Sequence, residues 1–279
     1  MEFIKMYASG NDYVYLDYEK VKNYDLSLLS KLISNRHFGV GSDGLIAIQK
    51  LDDNTAKMIM YNADGSRGST CGNGVRCSAY FAKKHLNLTS NQIVMKTDVN
   101  ETLVTLFEKN GSFYAKADMG EIKRVNSCEK VAKKLQEVGL YVDYRQVFEM
   151  NAGNRHLVFF YPNHSLLDLF KGVEKSRLFL DGINIERIYK IEQTKSSLTI
   201  YAEIYERGSG KTLSCGSGAC AIFQAFLNFN SSNIRSAKIV TDGGVLTVET
   251  DGKTTFLQSK IVEVFKGDLN ENLISEAKR

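Results

Sequence analysis

The sequence predicts an α/β protein of two similar halves. Each half is a mostly antiparallel, barrel-like sheet wrapped around one central helix, and the halves are related by pseudo-two-fold symmetry. Three observations predict this. The first is an internal repeat. Ser69-Thr70-Cys71-Gly72-Asn73-Gly74 matches Leu213-Ser214-Cys215-Gly216-Ser217-Gly218 at an offset of 144 (215 − 71), and Gly10-Asn11 matches Gly153-Asn154 at 143 (154 − 11). Asp43-Gly44-Leu45 matches Asp181-Gly182-Ile183 at 138 (182 − 44), in the same chain order. The second is a run of short β-branched and aromatic segments bounded by Gly, Asn or Asp. The third is a pair of small-residue, apolar helices, each led by a glycine-rich turn. The expected halves are 1–142, carrying Cys71, and 143–279, carrying Cys215, with the last strands free to cross back to the first half.

Taken in order, strands are expected at Phe3 to Tyr7, Tyr13 to Tyr18, Leu45 to Gln49, Lys57 to Tyr61, Gln92 to Thr97, Thr102 to Phe107 and Phe113 to Ala117. The pattern resumes at Gln146 to Met150, Leu157 to Tyr161, Asn184 to Ile191, Leu198 to Tyr205, Lys238 to Thr241, Val245 to Glu249 and Thr255 to Phe265. Helices are expected at Leu26 to Ser34 and at Glu129 to Glu137, where Val131 and Leu135 share a face. The two central helices begin near Asn73 and near Ser217. They carry Val75, Cys77, Ala79, Tyr80 and Phe81, and Ala219, Ala221, Ile222, Phe223, Ala225 and Phe226. A helix apolar nearly all round is buried.

Composition narrows the class. The 279 residues are 43% apolar and 24% charged, which suits a folded core and excludes a disordered, collagen-like or coiled-coil chain. No run approaches the roughly 18 apolar residues of a membrane span, and no signal-peptide core follows Met1. The net charge of +4 is scattered, so nothing points to nucleic acid or a membrane surface. Five cysteines, an odd count, argue for reduced thiols in a cytoplasmic protein. Only Pro162 is present where average usage of about 5% would give roughly fourteen prolines, so turns fall to the 22 glycines and to Asn and Asp.

The repeated cysteines carry the chemistry. Cys71 and Cys215 each stand before Gly-x-Gly at the start of a buried helix, where unpaired N–H groups and the helix dipole stabilise a thiolate. The same N–H groups suit a carboxylate, and the glycines let it approach closely. Two thiols on opposite sides of one carbon can remove a proton from one face and deliver one to the other, with the dipoles stabilising the enolate-like charge. Cys77, Cys128 and Cys220 are read as packing residues. The spacings Cys71-x5-Cys77 and Cys215-x4-Cys220 do not match a zinc ribbon, and a redox dithiol more often uses Cys-x-x-Cys. Gly208-Ser209-Gly210-Lys211-Thr212 looks like the end of a phosphate loop, but Tyr205 stands where that loop needs glycine.

At these residues the chain resembles the diaminopimelate epimerase family, cofactor-independent amino-acid epimerases with two cysteines. The resemblance covers nearly the whole chain. It runs through Gly10-Asn11-Asp12-Tyr13, Gly39-Val40-Gly41-Ser42-Asp43-Gly44 and Tyr61-Asn62-Ala63-Asp64-Gly65-Ser66. It continues through Cys71-Gly72-Asn73-Gly74-Val75-Arg76-Cys77, Gly153-Asn154 with His156, and Gly182-Ile183-Asn184. It ends with Tyr205-Glu206-Arg207-Gly208 and Cys215-Gly216-Ser217-Gly218-Ala219-Cys220. The resemblance implies that Cys71 and Cys215 are the two bases, one thiolate and one thiol, with His156 and Glu206 tuning their ionisation. It implies that backbone at Gly72-Asn73 and Gly216-Ser217 holds the reacting carboxylate. Asn11, Asn62, Asn154, Asn184, Glu206 and Arg207 would bind the rest of the substrate. Asn offers donor and acceptor together, and Arg can grip a carboxylate with two bonds. Alone, Asn11 or Asn62 would read as a turn residue and His156 as an ordinary core or surface histidine.

The implied activity is interconversion of LL- and meso-diaminopimelate in lysine and peptidoglycan precursor synthesis, with no cofactor and no metal. The partner is a small amino-acid substrate, and a homodimer is left open. Two other readings stand beside it: racemisation of another amino acid by the same two thiols, and a binding or redox dithiol module. Several positions depart from the family pattern. Arg155 replaces the proline that usually follows Gly-Asn, which is expected to add a cation near the substrate and so to bear on substrate identity. Asp242 replaces another proline, Gln258-Ser259-Lys260-Ile261 replaces Thr-Gly-Pro-Ala, Gly44 stands where some members carry glutamine, and Lys211 stands where an acidic residue is frequent.

Overall fold

The computed structural model describes residues 1–68, 71–176, 179–180, 182–230 and 233–278. The repeat matches at Ser69, Thr70 and Asp181 lie outside the described residues. In chain order the strands are β1 (Glu2–Ala8), β2 (Asn11–Asp17), β3 (Gly44–Lys50), β4 (Thr55–Asn62), β5 (Arg67–Gly68), β6 (Gln92–Lys96), β7 (Glu101–Lys109), β8 (Ser112–Asp118) and β9 (Lys123–Arg124). They continue with β10 (Val147–Asn151), β11 (Arg155–Phe160), β12 (Asn184–Gln193), β13 (Leu198–Glu206), β14 (Gly210–Thr212), β15 (Ser236–Thr241), β16 (Gly244–Thr250), β17 (Thr255–Lys260) and β18 (Val262–Asp268). The α-helices are α1 (Tyr18–Val21), α2 (Leu26–Ser34), α3 (Gly72–His85), α4 (Cys128–Gln136), α5 (Leu166–Ser176), α6 (Gly216–Asn230) and α7 (Glu271–Ile274). Among the described residues no helix is long and apolar enough to cross a membrane.

The chain forms two compact units, Met1–Ala117 with Gln258–Arg279, and Asp118–Leu257. Their division at Ala117/Asp118 falls ahead of the boundary at 142 expected from the repeat, and the last strand belongs to the first unit. Within that unit β1 runs antiparallel to β2 and to β18, β2 parallel to β3, β3 antiparallel to β4, and β4 parallel to β6. The second unit repeats this order. There β10 runs antiparallel to β11 and to β9, β11 parallel to β12, β12 antiparallel to β13, and β13 parallel to β15. The register repeats too: Tyr13 pairs with Gly44, and His156 with Asn184. Strand pairing therefore aligns Gly44 with Asn184, and not with Gly182 as the sequence match suggested.

Local chemistry accounts for the helices. The Asp25 side chain caps α2 by accepting from Ser27 and Leu28 N–H, and Leu26, Leu29 and Ile33 turn inward. Ser127 caps α4, whose Cys128, Val131 and Leu135 form its buried stripe. In α3 every residue from Asn73 to Ala82 is buried, as a helix enclosed by sheet requires. Around α6, Ile222, Phe223 and Phe226 meet Phe148, Val158, Phe160, Ile200 and Leu246 in one apolar cluster. Each such side chain contributes about 1.5–3 kcal/mol by leaving water. The opposite face of the β10–β11 region meets α4 and α5 through Val147, Leu157, Phe159, Leu135 and Leu169.

Some elements differ from the expectation. The single strand expected over Thr255 to Phe265 is two, because buried Ile261 leaves the ladder between β17 and β18. Helix α5 was not foreseen, nor were the two-residue and three-residue strands β5, β9 and β14, which are too short to show alternation. The Gly208–Thr212 stretch forms the tight turn from β13 into β14, with Glu206 opposite Gly210.

Candidate active site

In the first unit Cys71 is the N-cap of α3, with extended backbone and its Sγ accepting from the Gly74 N–H at 3.4 Å. Gly72 and Asn73 form the first turn. Asn73 is buried and its Oδ1 accepts from the buried Arg76 guanidinium, so its side chain is committed inward and its main chain faces the turn. Asn11, at the start of β2, stands 3.1 Å from Cys71 through its Oδ1. Its amide orientation is fixed chemically. Nδ2 donates to Asp43 Oδ2 at 2.7 Å, and a carboxylate can only accept, so Oδ1 is left to take the Cys71 S–H.

Asp43 is held in turn by the Asp12 N–H and by Arg36, which bridges Asp12 and Asp43 at 2.9 Å each. Buried Lys5 closes the group onto Asp12 at 2.5 Å. Burial raises Asp12, but hydrogen bonds from Arg36 and Lys5 outweigh it and hold the carboxyl below its ordinary value. Asp43 goes the other way, raised by burial and by the Asp12 charge. Asn62, at the end of β4 opposite Gly44, donates to Ser66 Oγ at 2.9 Å. Tyr13 completes this group. Its phenol is pushed well up by burial and then by Cys71, with which it shares a hydrogen bond.

The second unit builds the corresponding helix start from Cys215. Its Sγ accepts from the Gly218 N–H at 3.4 Å and lies 3.3 Å from Ser217 Oγ. His156, on β11, places Nε2 3.2 Å from Ser217 Oγ and 2.8 Å from Asn154 Oδ1. Its Nδ1 lies 2.5 Å from Glu186 Oε1, and both residues are wholly buried. Burial pushes the Cys215 thiol well above its ordinary value, and the charges of Glu206 and Glu186 add to it. Glu186 is itself raised by burial, partly offset by His156. Glu206 accepts from Thr212 Oγ1 at 2.7 Å. Asn184 donates to the Arg155 carbonyl and accepts the Arg207 N–H at 3.0 Å, tying β11 to the end of β13. Arg207 lies across Gly182 so closely that a Cβ there would sit 2.2 Å from its Cδ, and Gly182 also has φ +70°.

The first unit thus gathers Cys71, Gly72, Asn73 and Asn11, with Asn62 at the end of a neighbouring strand. The second gathers Cys215, Gly216, Ser217, His156, Asn154, Asn184, Glu206 and Arg207. Sequence reasoning missed Tyr13, Asp43, Arg36 and Glu186. Tyr13 and Glu186 carry a readable signal, since each stands two residues beyond an assigned asparagine and so on the same face of its strand.

Arg155 requires a correction. Strand alternation sends His156, Val158 and Phe160 toward α6, and Arg155 with Leu157 and Phe159 to the other face. There the Arg155 guanidinium pairs with wholly buried Glu149, to which Asn126 also donates, and lies 5.3 Å from the centre of the Phe179 ring. The cation expected near the substrate is neutralised on the opposite side of the sheet from His156. Only the Arg155 carbonyl reaches an assigned residue, Asn184, and proline would supply that carbonyl equally well.

Two sheet-and-helix units of matching strand order, each with a cysteine at the start of its central helix, define a two-repeat α/β fold. The same fold is found in a solved phenazine biosynthesis protein of the PhzF family from Bacillus anthracis, with a TM-score of 0.70, 13% identity, and coverage of 97% of this chain and 99% of that one. The sequence identifies the branch. The family model described as diaminopimelate epimerase matches residues 3–125 and 148–268. The diaminopimelate epimerase of Acetivibrio thermocellus is 33% identical across 97% of this chain and 100% of its own length. That of Agathobacter rectalis is 32% identical across 97% and 99%. The chain belongs to the diaminopimelate epimerase family, and it is an enzyme of that isomerase class.

Proposed function

We propose that the protein interconverts LL- and meso-diaminopimelate by proton transfer between two cysteines and one α-carbon. One cysteine, as thiolate, takes the α-proton. The other, as thiol, gives its proton to the opposite face, so the two exchange protonation states in each turnover. Charge that develops on the substrate carboxylate is met by N–H groups at Gly72-Asn73 and Gly216-Ser217 and by the dipoles of α3 and α6. Asn11, Asn62, Asn154, Asn184, Glu206 and Arg207 recognise the remaining amino-acid end, and each half of the repeat supplies one thiol.

The observation that carries this reading is the twice-built cap. In each unit a cysteine sulfur begins a buried helix and accepts the N–H of the third residue on, at 3.4 Å in both. Such a thiol sits where backbone dipoles favour negative charge. Incubation of the reduced enzyme with the LL isomer in heavy water should yield the meso isomer and deuterium at one α-carbon. Absence of exchange with every diaminopimelate isomer overturns the reading. Exchange confined to a different amino acid, in a panel resolved by chiral chromatography, would replace the substrate and keep the chemistry.

A further inference from the structure

We propose that Glu186 is a positioning residue for this reaction: it holds a proton on Nδ1 of His156 and so directs Nε2 of the ring, through Ser217, toward Cys215. The inference rests on the reading of Cys215 as one of the two acid–base thiols.

Glu186 lies on β12 two residues beyond Asn184, wholly buried, and among the described residues its Oε2 meets no hydrogen-bond partner. Among the described residues its one hydrogen-bond partner is His156 Nδ1, at 2.5 Å. A carboxylate accepts and does not donate, so this contact keeps a hydrogen on Nδ1 and fixes the tautomer, as the carboxylate of a hydrolase triad does for its imidazole. Nε2 is then the nitrogen that exchanges protons, 3.2 Å from Ser217 Oγ, which is 3.3 Å from Cys215 Sγ. The step balances as two proton transfers. Cys215 passes its S–H proton to Ser217 Oγ while Ser217 passes its O–H proton to Nε2. A thiolate remains, and the imidazolium is paired with Glu186. Asn154 Oδ1, 2.8 Å from Nε2, is placed to accept the new N–H. Return of the proton by the same path restores the thiol.

Space for the carboxylate is built into the helix start. A Cβ on Gly218 would lie 2.7 Å from Glu186 Oε1. The first unit has the same backbone with different chemistry. By strand register Tyr13 takes the place of His156 and Ile46 that of Glu186, and a Cβ on Gly74 would lie 2.9 Å from Ile46 Cδ1. Hydrocarbon stands there where the second unit has a carboxylate, and Cys71 donates a hydrogen bond to Asn11 Oδ1. The two thiols are therefore inequivalent: Cys215 is wired to a buried imidazole–carboxylate pair. The titratable groups acting on that pair are Cys215 at the start of α6 and Glu206 at the end of β13. Met150, opposite His156 on β10, and Ser217 and Asn154 carry no charge.

The test uses the full chain as wild type and as Glu186→Gln, Glu186→Asp and Glu186→Ile, the last copying the first unit. Thiolate absorbance against pH in a Cys71→Ser background, taken as the difference from Cys71→Ser with Cys215→Ser so that Cys77, Cys128 and Cys220 cancel, follows Cys215 without substrate. Nitrogen-15 spectra of labelled histidine, assigned with His156→Gln, report which ring nitrogen is protonated. Glu186→Gln should move the Cys215 titration by about one pH unit and lower kcat about 10–100-fold with KM nearly constant, and Glu186→Asp should recover part of it. Wild-type His156 should show Nδ1–H. A Cys215 titration unchanged in Glu186→Gln, or a wild-type His156 bare at Nδ1, overturns the wiring whatever the fold of Glu186→Ile. Failure of α-proton exchange in the wild type overturns the proposed reaction instead, and the substrate-free titration still decides the wiring.

Discussion

Gly218 and Gly74 occupy the same position in the two units, and alanine there should have unequal consequences. At Gly218 the new methyl lands 2.7 Å from Glu186 Oε1 and 3.2 Å from Cys215 Cβ. That oxygen cannot swing away freely, because it is buried and bonded to His156. Displacing it loses a charged hydrogen bond of about 1.5–3 kcal/mol, against which alanine gains up to about 1 kcal/mol of helix propensity. A net loss of about 0.5–2 kcal/mol follows, or roughly 2–8 °C in the melting of a unit of this size. At Gly74 the methyl meets Ile46 Cδ1 at 2.9 Å, the free end of a side chain that can rotate. The helix gain there should cancel the crowding to within about 0.5 kcal/mol. Differential scanning calorimetry of both variants measures the contrast. Equal melting temperatures for Gly218→Ala and Gly74→Ala would refute the claim that Glu186 is locked and Ile46 is not.

Other outcomes follow from the same contacts. Arg155→Ala, leaving Glu149 buried without its cation, should cost about 3 kcal/mol in urea unfolding, and much less in a Glu149→Gln background; equal costs in both would show the pair to be uncoupled. Burial pushes the Cys77 thiol up to about 12. The folded state therefore keeps a proton that the unfolded chain loses above about pH 9, so stability falls as pH rises from 9 toward 12, by about 1.4 kcal/mol per pH unit for this group. Cys77→Ala should flatten the alkaline slope of unfolding free energy by that amount, and an unchanged slope would contradict the assignment. Asp43→Asn lets the Asn11 amide reverse and present Nδ2 to Cys71; kcat should fall about tenfold with little change in melting temperature. Loss of stability with unchanged kcat would make Asp43 purely structural.

The repeat was the most legible feature of this chain, because Cys71-Gly-x-Gly and Cys215-Gly-x-Gly must each start a buried helix, and both do. The central helices and longer strands followed from periodicity. The two-residue strands β5 and β9 did not, since alternation needs four or five residues to register. Helix α5 went unread although its buried stripe is ordinary. Arg155 shows the sharper limit. Its place in the chain sits beside His156, but adjacent strand residues face opposite ways, and its partner Glu149 lies on another strand. Glu186 shares a strand face with Asn184, which spacing alone shows, but its contact with an imidazole follows only from the register that pairs β11 with β12.

One consequence of the strand order concerns time. The edge of β1 is covered by β18, and the Met1 amino group reaches the Leu269 carbonyl. Strand β1 is thus made well before the strand that covers its edge. Closing so long a loop is slow, and until it closes β1 presents an open edge to other chains. The second unit opens with β9, which comes just ahead of its partner β10, and it ends at Leu257, before β18 is made. During synthesis the half carrying Cys215 can be finished while the half carrying Cys71, begun first, still waits.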